Sequence, residues 1–243
     1  MRVIIKFNKK EKIPYTQNQL QGFVYRLVRN IGYNEIHNLS PKLPRFFSFS
    51  QLFLAKDGYL TFVISSPFNE LIKEISKSLK KDEIVRIGNN FLTILSVDLF
   101  KPQFKPPIII KTETPIIVRI PKKNFELYGI KLDKDIEYFY WRPKPGIPFE
   151  PFVKQLEARI YKQYKLFTGK EKIKEYPIFY KFIYKKTIDL PFYYKNSKIS
   201  RPGTLWEFEI NPNLPKSLIN FIIDVGLGEL ASQGYGFVNL VKN

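Results

Sequence analysis

The only histidine of the chain, His37, is the residue best suited to acid–base chemistry. An unperturbed histidine has a pKa of about 6.5, so near neutrality it can either accept or donate a proton. His37 lies in the polar segment Asn34-Glu-Ile-His-Asn-Leu-Ser-Pro-Lys42, which is typical of a surface loop, where functional residues concentrate. The pattern alone leaves two interpretations open, a catalytic histidine and a surface histidine without a task.

Metal chemistry has few candidate ligands in this chain. With one histidine and no cysteine, neither a multi-histidine site nor a thiolate site can be built. A metal enzyme would have to rely on carboxylates, and no clustered aspartate motif is present. We therefore expect no metal site and no cofactor.

The charge balance points to a polyanionic partner. The chain has 40 Lys and Arg against 22 Asp and Glu, a formal net charge of +18, and nucleic acid is the usual partner of such an excess. The sequence has no apolar run near the roughly 18 residues of a spanning helix, and the opening Met1-Arg-Val-Ile-Ile-Lys-Phe7 is typical of a strand, not a signal peptide. We expect a folded cytoplasmic protein that binds no membrane.

Tyr25 is a second candidate, and helical periodicity places it. An apolar stripe predicts a first helix capped by Thr16 or Asn18; its members are Leu20, Phe23, Val24, Leu27, Val28 and Ile31. At about 100° per residue, Tyr25 points about 130° away from this stripe. It should therefore lie outside the core, on the face that carries Gln21 and Arg29.

The elements around this helix repeat a known order. Strands are predicted at Val3–Phe7, Phe47–Ala55, Tyr59–Ser65 and Phe91–Leu99, the last able to pair with Ile84–Ile87, and a second helical stripe runs from Phe68 to Leu79. The order β-α-β-β-α-β is that of a ferredoxin-like unit, here residues 1–100. The proline-rich Lys101-Pro-Gln-Phe-Lys-Pro-Pro107 follows as a linker.

Residues 108–243 predict a second unit of the same order. Its strands are expected at Ile116–Ile120, Ile136–Trp141, Ile178–Lys185, Leu205–Ile210 and Gly236–Val241, with helices along Phe149–Phe167 and Leu218–Val225. The predicted fold class is α+β, with two tandem ferredoxin-like (RRM-like) domains.

The segment Gly226-Leu-Gly-Glu-Leu-Ala-Ser-Gln-Gly-Tyr-Gly236, called the glycine segment below, follows the last helix. It lacks the Gly-Lys-Ser/Thr of a Walker loop, and it runs from a helix into a strand, the reverse of a dinucleotide fingerprint. Gly234-Tyr-Gly-Phe-Val resembles the RNA-stacking motif of RRM domains, but it lies too near the chain end. We expect exposed amides at Gly226, Gly228, Gly234 and Gly236 to contact a phosphate backbone; the alternative is a helix C-cap and a loose turn.

Cations interleaved with aromatic residues mark the stretch from Tyr180 to Arg201. Such interleaving suits phosphates and unpaired bases together, although any one lysine can equally belong to a solvated face. The predicted RNA-binding residues here are Lys185, Lys186, Lys195, Lys198 and Arg201, and the long helix before them adds a further basic stripe of Lys154, Arg159, Lys162 and Lys165.

The segment Asp224–Val238 resembles the C-terminal signature of the Cas-six endoribonucleases, which process CRISPR precursor RNA. The resemblance extends to Ile13-Pro-Tyr-Thr16 before the first helix, to Gln21-Gly-Phe-Val-Tyr25 within it, and to Phe47-Ser-Phe-Ser-Gln51 after the histidine. It implies tandem ferredoxin-like domains and a partner, CRISPR repeat RNA. Other Cas effector subunits and a homodimer are further partners to consider.

The resemblance also implies a Tyr-His-Lys triad of Tyr25, His37 and Lys42, with Arg45 as the rival of Lys42. Arg29 and Arg45 are further predicted RNA contacts. It implies metal-independent cleavage by the RNA's own 2′-hydroxyl, leaving 2′,3′-cyclic phosphate and 5′-hydroxyl ends. Two alternatives remain: a non-catalytic RNA-binding subunit of a CRISPR effector complex, and a general single-strand binder.

Overall fold

The computed structural model describes residues 1–32, 45–131, 135–190, 192–194 and 197–241. Within these described residues, the first unit has a six-stranded antiparallel sheet and two helices. Its strands are β1 (Arg2–Phe7), β2 (Ser48–Phe49), β3 (Phe53–Leu54), β4 (Leu60–Ser65), β5 (Ile84–Ile87) and β6 (Asn90–Phe100), and its helices are α1 (Gln17–Asn30) and α2 (Asn69–Ser78). The sheet order is β2-β4-β1-β6-β5, with β3 also paired to β4.

Sequence periodicity explains why α1 lies where it does. Thr16 is the N-cap, and its backbone N–H donates to Gln19 Oε1 at 2.8 Å, which satisfies one of the free donors at the helix start. The predicted apolar stripe from Leu20 to Val28 is buried against the sheet. None of the described helices is both long and apolar enough to cross a membrane.

The second unit repeats the architecture around a four-stranded sheet. Its main elements are β7 (Ile108–Thr112), α3 (Glu150–Thr168), β10 (Phe179–Asp189), β13 (Pro202–Ile210), α4 (Lys216–Val225) and β14 (Val238–Leu240). The sheet order is β10-β13-β7-β14. In the first sheet the strands β2, β4, β1 and β6 occupy the same four positions in the same order. The predicted tandem ferredoxin-like fold is confirmed.

The expected first strand of this unit was wrong. β7 directly follows Pro107, and its alternate residues Ile108, Ile110 and Thr112 are buried. The run Ile116–Ile120, which looked more apolar, makes isolated bridges to Thr204 and Glu229 and enters a small ladder, β8 (Arg119–Pro121) with β9 (Tyr138–Tyr140). Pro115 precedes this run and supplies no N–H for a continuous ladder. One more hairpin pairs β11 (Phe192–Tyr194) with β12 (Ser197–Ile199).

Two clusters of buried apolar side chains form the cores, one from residues 3–94 and one from residues 108–238. Aromatic contacts join them, because the Phe46 ring packs edge-on against Phe167 and Phe221 of the second unit. Arg2, only 4% exposed, donates to Ile223 O at 3.0 Å and to Val238 O at 2.6 Å. The two units are thus joined by both apolar and polar contacts. The division at residues 101–107 remains our proposal.

Candidate functional site

Tyr25 and Arg45 lie together at one end of the first unit. Arg45 Nη1 donates a hydrogen bond of 2.9 Å to the Tyr25 hydroxyl, and its guanidinium carbon lies 5.4 Å from the centre of the Tyr25 ring. The ring packs edge-on against Phe47, at 5.8 Å between centroids. Tyr25 is half-buried at the margin of the core, so the prediction from periodicity that it lies outside the central stripe agrees with its position.

His37 and Lys42 lie outside the described residues, in the stretch of chain that joins Gly32 to Arg45. The described part of the chain contains no group of three His, Cys, Asp or Glu side chains arranged as metal ligands. Arg29 is exposed, one helical turn beyond Tyr25. Of the predicted catalytic residues, the structure therefore places Tyr25 alone, and it brings Arg45 to it.

The glycine segment does not present the free amides that we expected. All four glycines are buried. Gly226 N–H donates to Ile222 O at 3.0 Å, Gly234 N–H to Ala231 O at 2.9 Å, and Gly236 N–H to Pro115 O at 2.9 Å. For these three residues the predicted open amide is wrong, because the donor is already used inside the protein. Contact of RNA with other atoms of the segment stays a prediction.

Close packing, against the first unit at Gly226 and Gly234 and within the second unit at Gly228 and Gly236, explains why glycine occupies these positions. All four have positive φ, between +65° and +85°, a region that side chains disfavour. A Cβ on Gly226 would lie 2.6 Å from Gly236 O and 3.3 Å from Ser48 Cβ. A Cβ on Gly234 would overlap Gln17 and the Phe49 ring. The segment therefore fills a tight space between β2, α1 and the second unit.

A two-way hydrogen bond holds the β11–β12 hairpin on α1. Asn18 Nδ2 donates to Tyr193 O at 2.7 Å, and Tyr193 N–H donates to Asn18 Oδ1 at 2.8 Å. Arg201, just after the hairpin, stacks on Phe192 with its guanidinium carbon 3.7 Å from the ring centre. Lys195 is outside the described residues, and Lys198 lies on β12. The hairpin and Arg201 are thus brought beside the helix that carries Tyr25, which the sequence did not indicate.

Lys185 and Lys186 lie on β10, an edge strand of the second sheet. Both are exposed, and Lys185 Nζ lies 3.3 Å from Glu207 Oε2. Charged residues on an edge strand discourage pairing with other chains. Their binding of RNA stays a prediction, since this protective role accounts for them equally well.

A row of arginines and tyrosines, not grouped by the sequence analysis, crosses the second unit. We call it the arginine–tyrosine row: Arg119, Tyr138, Tyr140, Arg159 and Arg201. The Arg119 guanidinium carbon lies 4.9 Å from the Tyr138 ring centre, and the Tyr138 and Tyr140 rings meet edge-on at 5.6 Å. The alternation Tyr138-Phe139-Tyr140, with Phe139 packed on the core, is the signal that could have identified the two tyrosines.

Electrostatics in the row differ from those of isolated side chains. Burial, with the hydrogen bond between Tyr140 and Tyr138 next in size, raises the pKa of Tyr140 to about 12, and the positive charge of Arg201 opposes this shift. Desolvation lowers the pKa of Arg159, an effect that Glu229 opposes and that the charge of Arg119 reinforces. A phenol with a pKa of about 12 is neutral at neutral pH, so Tyr140 adds no negative charge beside the arginines of the row.

Comparisons with known proteins place this architecture. The family described as "CRISPR associated protein Cas6, C-terminal" matches residues 100–240. The chain is 27% identical to CRISPR-associated endoribonuclease Cas6 2 of Methanocaldococcus jannaschii, with each chain covered completely. It is 22% identical to CRISPR-associated endoribonuclease Cas6 of Haloferax mediterranei, with all of this chain and 94% of that protein covered.

Solved structures show the same fold. One described as "CRISPR associated protein Cas6" superposes with a TM-score of 0.70 at 22% identity, over 100% of this chain and 99% of that one. Another, described as "An RAMP protein binding different RNA substrates", gives a TM-score of 0.68 at 19% identity, with both chains covered completely. Since the family match spans more than half of the chain, the protein belongs to the family of CRISPR-associated Cas6 proteins.

Proposed function

We propose that this protein is an endoribonuclease that binds CRISPR repeat RNA and cleaves precursor crRNA without a metal ion. The observation that carries the proposal is the 2.9 Å hydrogen bond from Arg45 to the Tyr25 hydroxyl. Arg45 ends the stretch of chain that contains His37. The phenol of Tyr25 therefore has a guanidinium beside it, and guanidinium groups bind phosphate well.

The reaction is transfer of the scissile phosphate to the neighbouring 2′-hydroxyl of the RNA. The 2′-oxygen forms a bond to phosphorus while the bond to the 5′-oxygen breaks, which leaves a 2′,3′-cyclic phosphate and a 5′-hydroxyl. His37 takes the proton from the 2′-hydroxyl or supplies one to the leaving oxygen. Tyr25 contacts the 2′-hydroxyl or the phosphate. The negative charge that develops on phosphorus is stabilised by a cation, either Lys42 or Arg45.

The relatives support RNA processing as the activity. The proteins from Methanocaldococcus jannaschii and Haloferax mediterranei are both named endoribonucleases, and one neighbour of the same fold is described as binding RNA substrates. The net charge of +18 favours a polyanionic ligand. Binding to other Cas subunits, homodimer formation and a cytoplasmic location stay predictions.

Cleavage of labelled repeat RNA in excess EDTA tests the proposal. We expect wild-type activity to persist in EDTA, and His37→Ala to lose about 100- to 10,000-fold in rate, the usual contribution of a positioned acid or base. Tyr25→Phe should lower the rate while leaving thermal stability close to wild type. Tyr176→Phe, which removes an exposed hydroxyl from the second unit, is the matched control.

A substrate with one 2′-deoxy nucleotide at the cleavage position tests the nucleophile directly. It should bind normally and stay intact, because the attacking oxygen is missing. EDTA-sensitive cleavage, cleavage of the 2′-deoxy substrate, or full activity of His37→Ala would refute the mechanism. Tight binding of repeat RNA by the wild type without any cleavage would instead identify the non-catalytic subunit.

A further inference from the structure

Three arginines of the arginine–tyrosine row share one feature, since each is held by a different residue of the glycine segment. Arg159 Nε donates to Gly228 O at 2.7 Å. Arg119 Nε donates to Glu229 Oε2 at 2.5 Å. Arg201 Nη1 donates to Gln233 Oε1 at 2.7 Å. Arg159 belongs to α3, Arg119 to β8, and Arg201 immediately precedes β13. These elements are far apart in the sequence, and the glycine segment contacts all three arginines.

A cavity of about 230 Å³ opens beside this cluster, and Arg159, Lys162, Gly228 and Glu229 are among the residues that line it. Glu229 is the carboxylate that pairs with Arg119, while Lys162 and Arg159 add two further positive charges. Burial and the charge of Arg119 both disfavour the charged form of Arg159. An anion bound in the cavity would favour the charged form of Arg159. Glu229 supplies one negative charge against the positive charges of Arg119, Arg159 and Lys162, and the anion would balance more of that excess.

We propose that the glycine segment acts as a platform that positions Arg119, Arg159 and Arg201 for the phosphates of one RNA strand, with the cavity beside Arg159 holding one phosphate group. The proposal rests on the proposed function insofar as RNA is the ligand. It assigns the segment an indirect role: a backbone carbonyl and two side chains hold the arginines, while the glycines allow the tight packing that fixes the platform.

The tyrosines of the row favour a single strand as the occupant. Tyr138 is 37% exposed and lies between Arg119, which contacts its ring, and Tyr140. Cations that alternate with accessible aromatic rings suit a backbone whose bases are unpaired and free to stack. A duplex offers its phosphates but not its base faces, so it would leave the rings unused.

Affinity and its salt dependence are the first test, with fluorescent single-stranded repeat RNA as the probe and the full chain as the protein. The variants Arg159→Gln, Arg201→Gln and Lys162→Gln should each weaken binding about tenfold. Each should also lower the slope of log K against log salt by about 0.7, the value expected for one phosphate contact on a single strand. Lys77→Gln is the matched control, because it removes one exposed charge from α2.

A methylphosphonate scan is the second test. Each probe RNA carries one neutral methylphosphonate in place of a phosphate, and one position should weaken binding to the wild type but not to Arg159→Gln. Arg159→Lys, which keeps the charge and loses the Nε donor to Gly228, should retain the salt slope and lose affinity. If Arg159→Gln does not fold, Lys162→Gln, whose side chain is exposed, carries the same comparison.

The outcomes separate this inference from the proposed function. Wild-type affinity and slope in all three variants would overturn the platform, even if the protein cleaves repeat RNA normally. A wild type that binds no RNA would overturn both proposals. Equal binding of repeat and scrambled RNA, with the expected loss in the variants, would support the platform and remove the repeat specificity from the proposed function. If the variants lose affinity only because they no longer bind a 5′-terminal phosphate, a probe with a 5′-hydroxyl will bind the wild type and all variants equally. That result would overturn the proposal that the arginines contact phosphates along the strand.

Discussion

Replacing Gly236 by alanine should destabilise the protein much more than the same replacement at Gly58. Both glycines have positive φ, +65° and +82°, so alanine is disfavoured by the backbone at each. They differ in their surroundings. A Cβ on Gly58 would meet no atom within 4 Å, whereas a Cβ on Gly236 would overlap the carbonyl oxygen of Leu227. That oxygen belongs to the backbone and cannot rotate away.

The magnitude follows from these two contributions. The left-handed conformation costs alanine about 1–2 kcal/mol at either position. Overpacking at Gly236 adds about 1–3 kcal/mol, and the hydrogen bond from Leu227 N–H to Gly236 O, 2.8 Å long, is placed at risk by the same shift. We expect Gly236→Ala to lose about 2–5 kcal/mol of unfolding free energy, and Gly58→Ala about 1–2 kcal/mol.

Guanidinium unfolding followed by circular dichroism measures both variants, and RNA binding is measured on the same samples below the transition. In a separate thermal unfolding experiment, the melting temperature of Gly236→Ala should be lower than that of the wild type by on the order of 10 °C. If Gly236→Ala were as stable as Gly58→Ala and had lost RNA affinity, the segment would act by direct contact and our assignment of a packing role would be wrong.

Three other substitutions test separate parts of the structure. Gly22→Ala should raise the unfolding free energy by about 0.5–1 kcal/mol in denaturant titration, because Gly22 lies within α1 and a Cβ there meets nothing within 4 Å; a loss would show that the open space is an error. Arg2→Ala should cost about 2–4 kcal/mol, since it leaves two buried carbonyls without a donor, whereas Lys6→Ala, an exposed ion pair with Asp57, should change little. Burial raises the pKa of Glu157, so the folded state binds its proton more readily and this group makes stability fall as pH rises above about 4.5; Glu157→Gln should flatten that part of the stability–pH curve.

The local features of the fold were predictable because they depend on neighbours in the sequence. The buried stripe of α1 and the position of Tyr25 outside that stripe follow from helical periodicity. The turn at Gly58 was also predicted, and Ala55 N–H indeed donates to Tyr59 O at 3.0 Å across it. Only φ preference and the side-chain period are needed for such predictions.

The predictions that were wrong concern features that depend on residues far away in the sequence. The burial of Gly234 comes from Gln17 and Phe49, which belong to the other unit, and no local signal reports their approach. Arg119 is placed by Glu229, 110 residues away. The same reasoning explains the error at Ile116–Ile120, where an apolar run was mistaken for a central strand although its bridges lead to separate elements.

The two hydrogen bonds between Asn18 and Tyr193 attach the hairpin to α1 at a fixed distance from Tyr25. Asn18 and Tyr25 lie on the same face of the helix, two turns or about 11 Å apart. Because α1 is packed on the core along its apolar stripe, this distance is fixed. An RNA gripped by the hairpin would therefore meet Tyr25 at a separation set by helix geometry. Cleavage position would then be measured from the hairpin, and shortening or lengthening α1 by one turn would shift it along the strand.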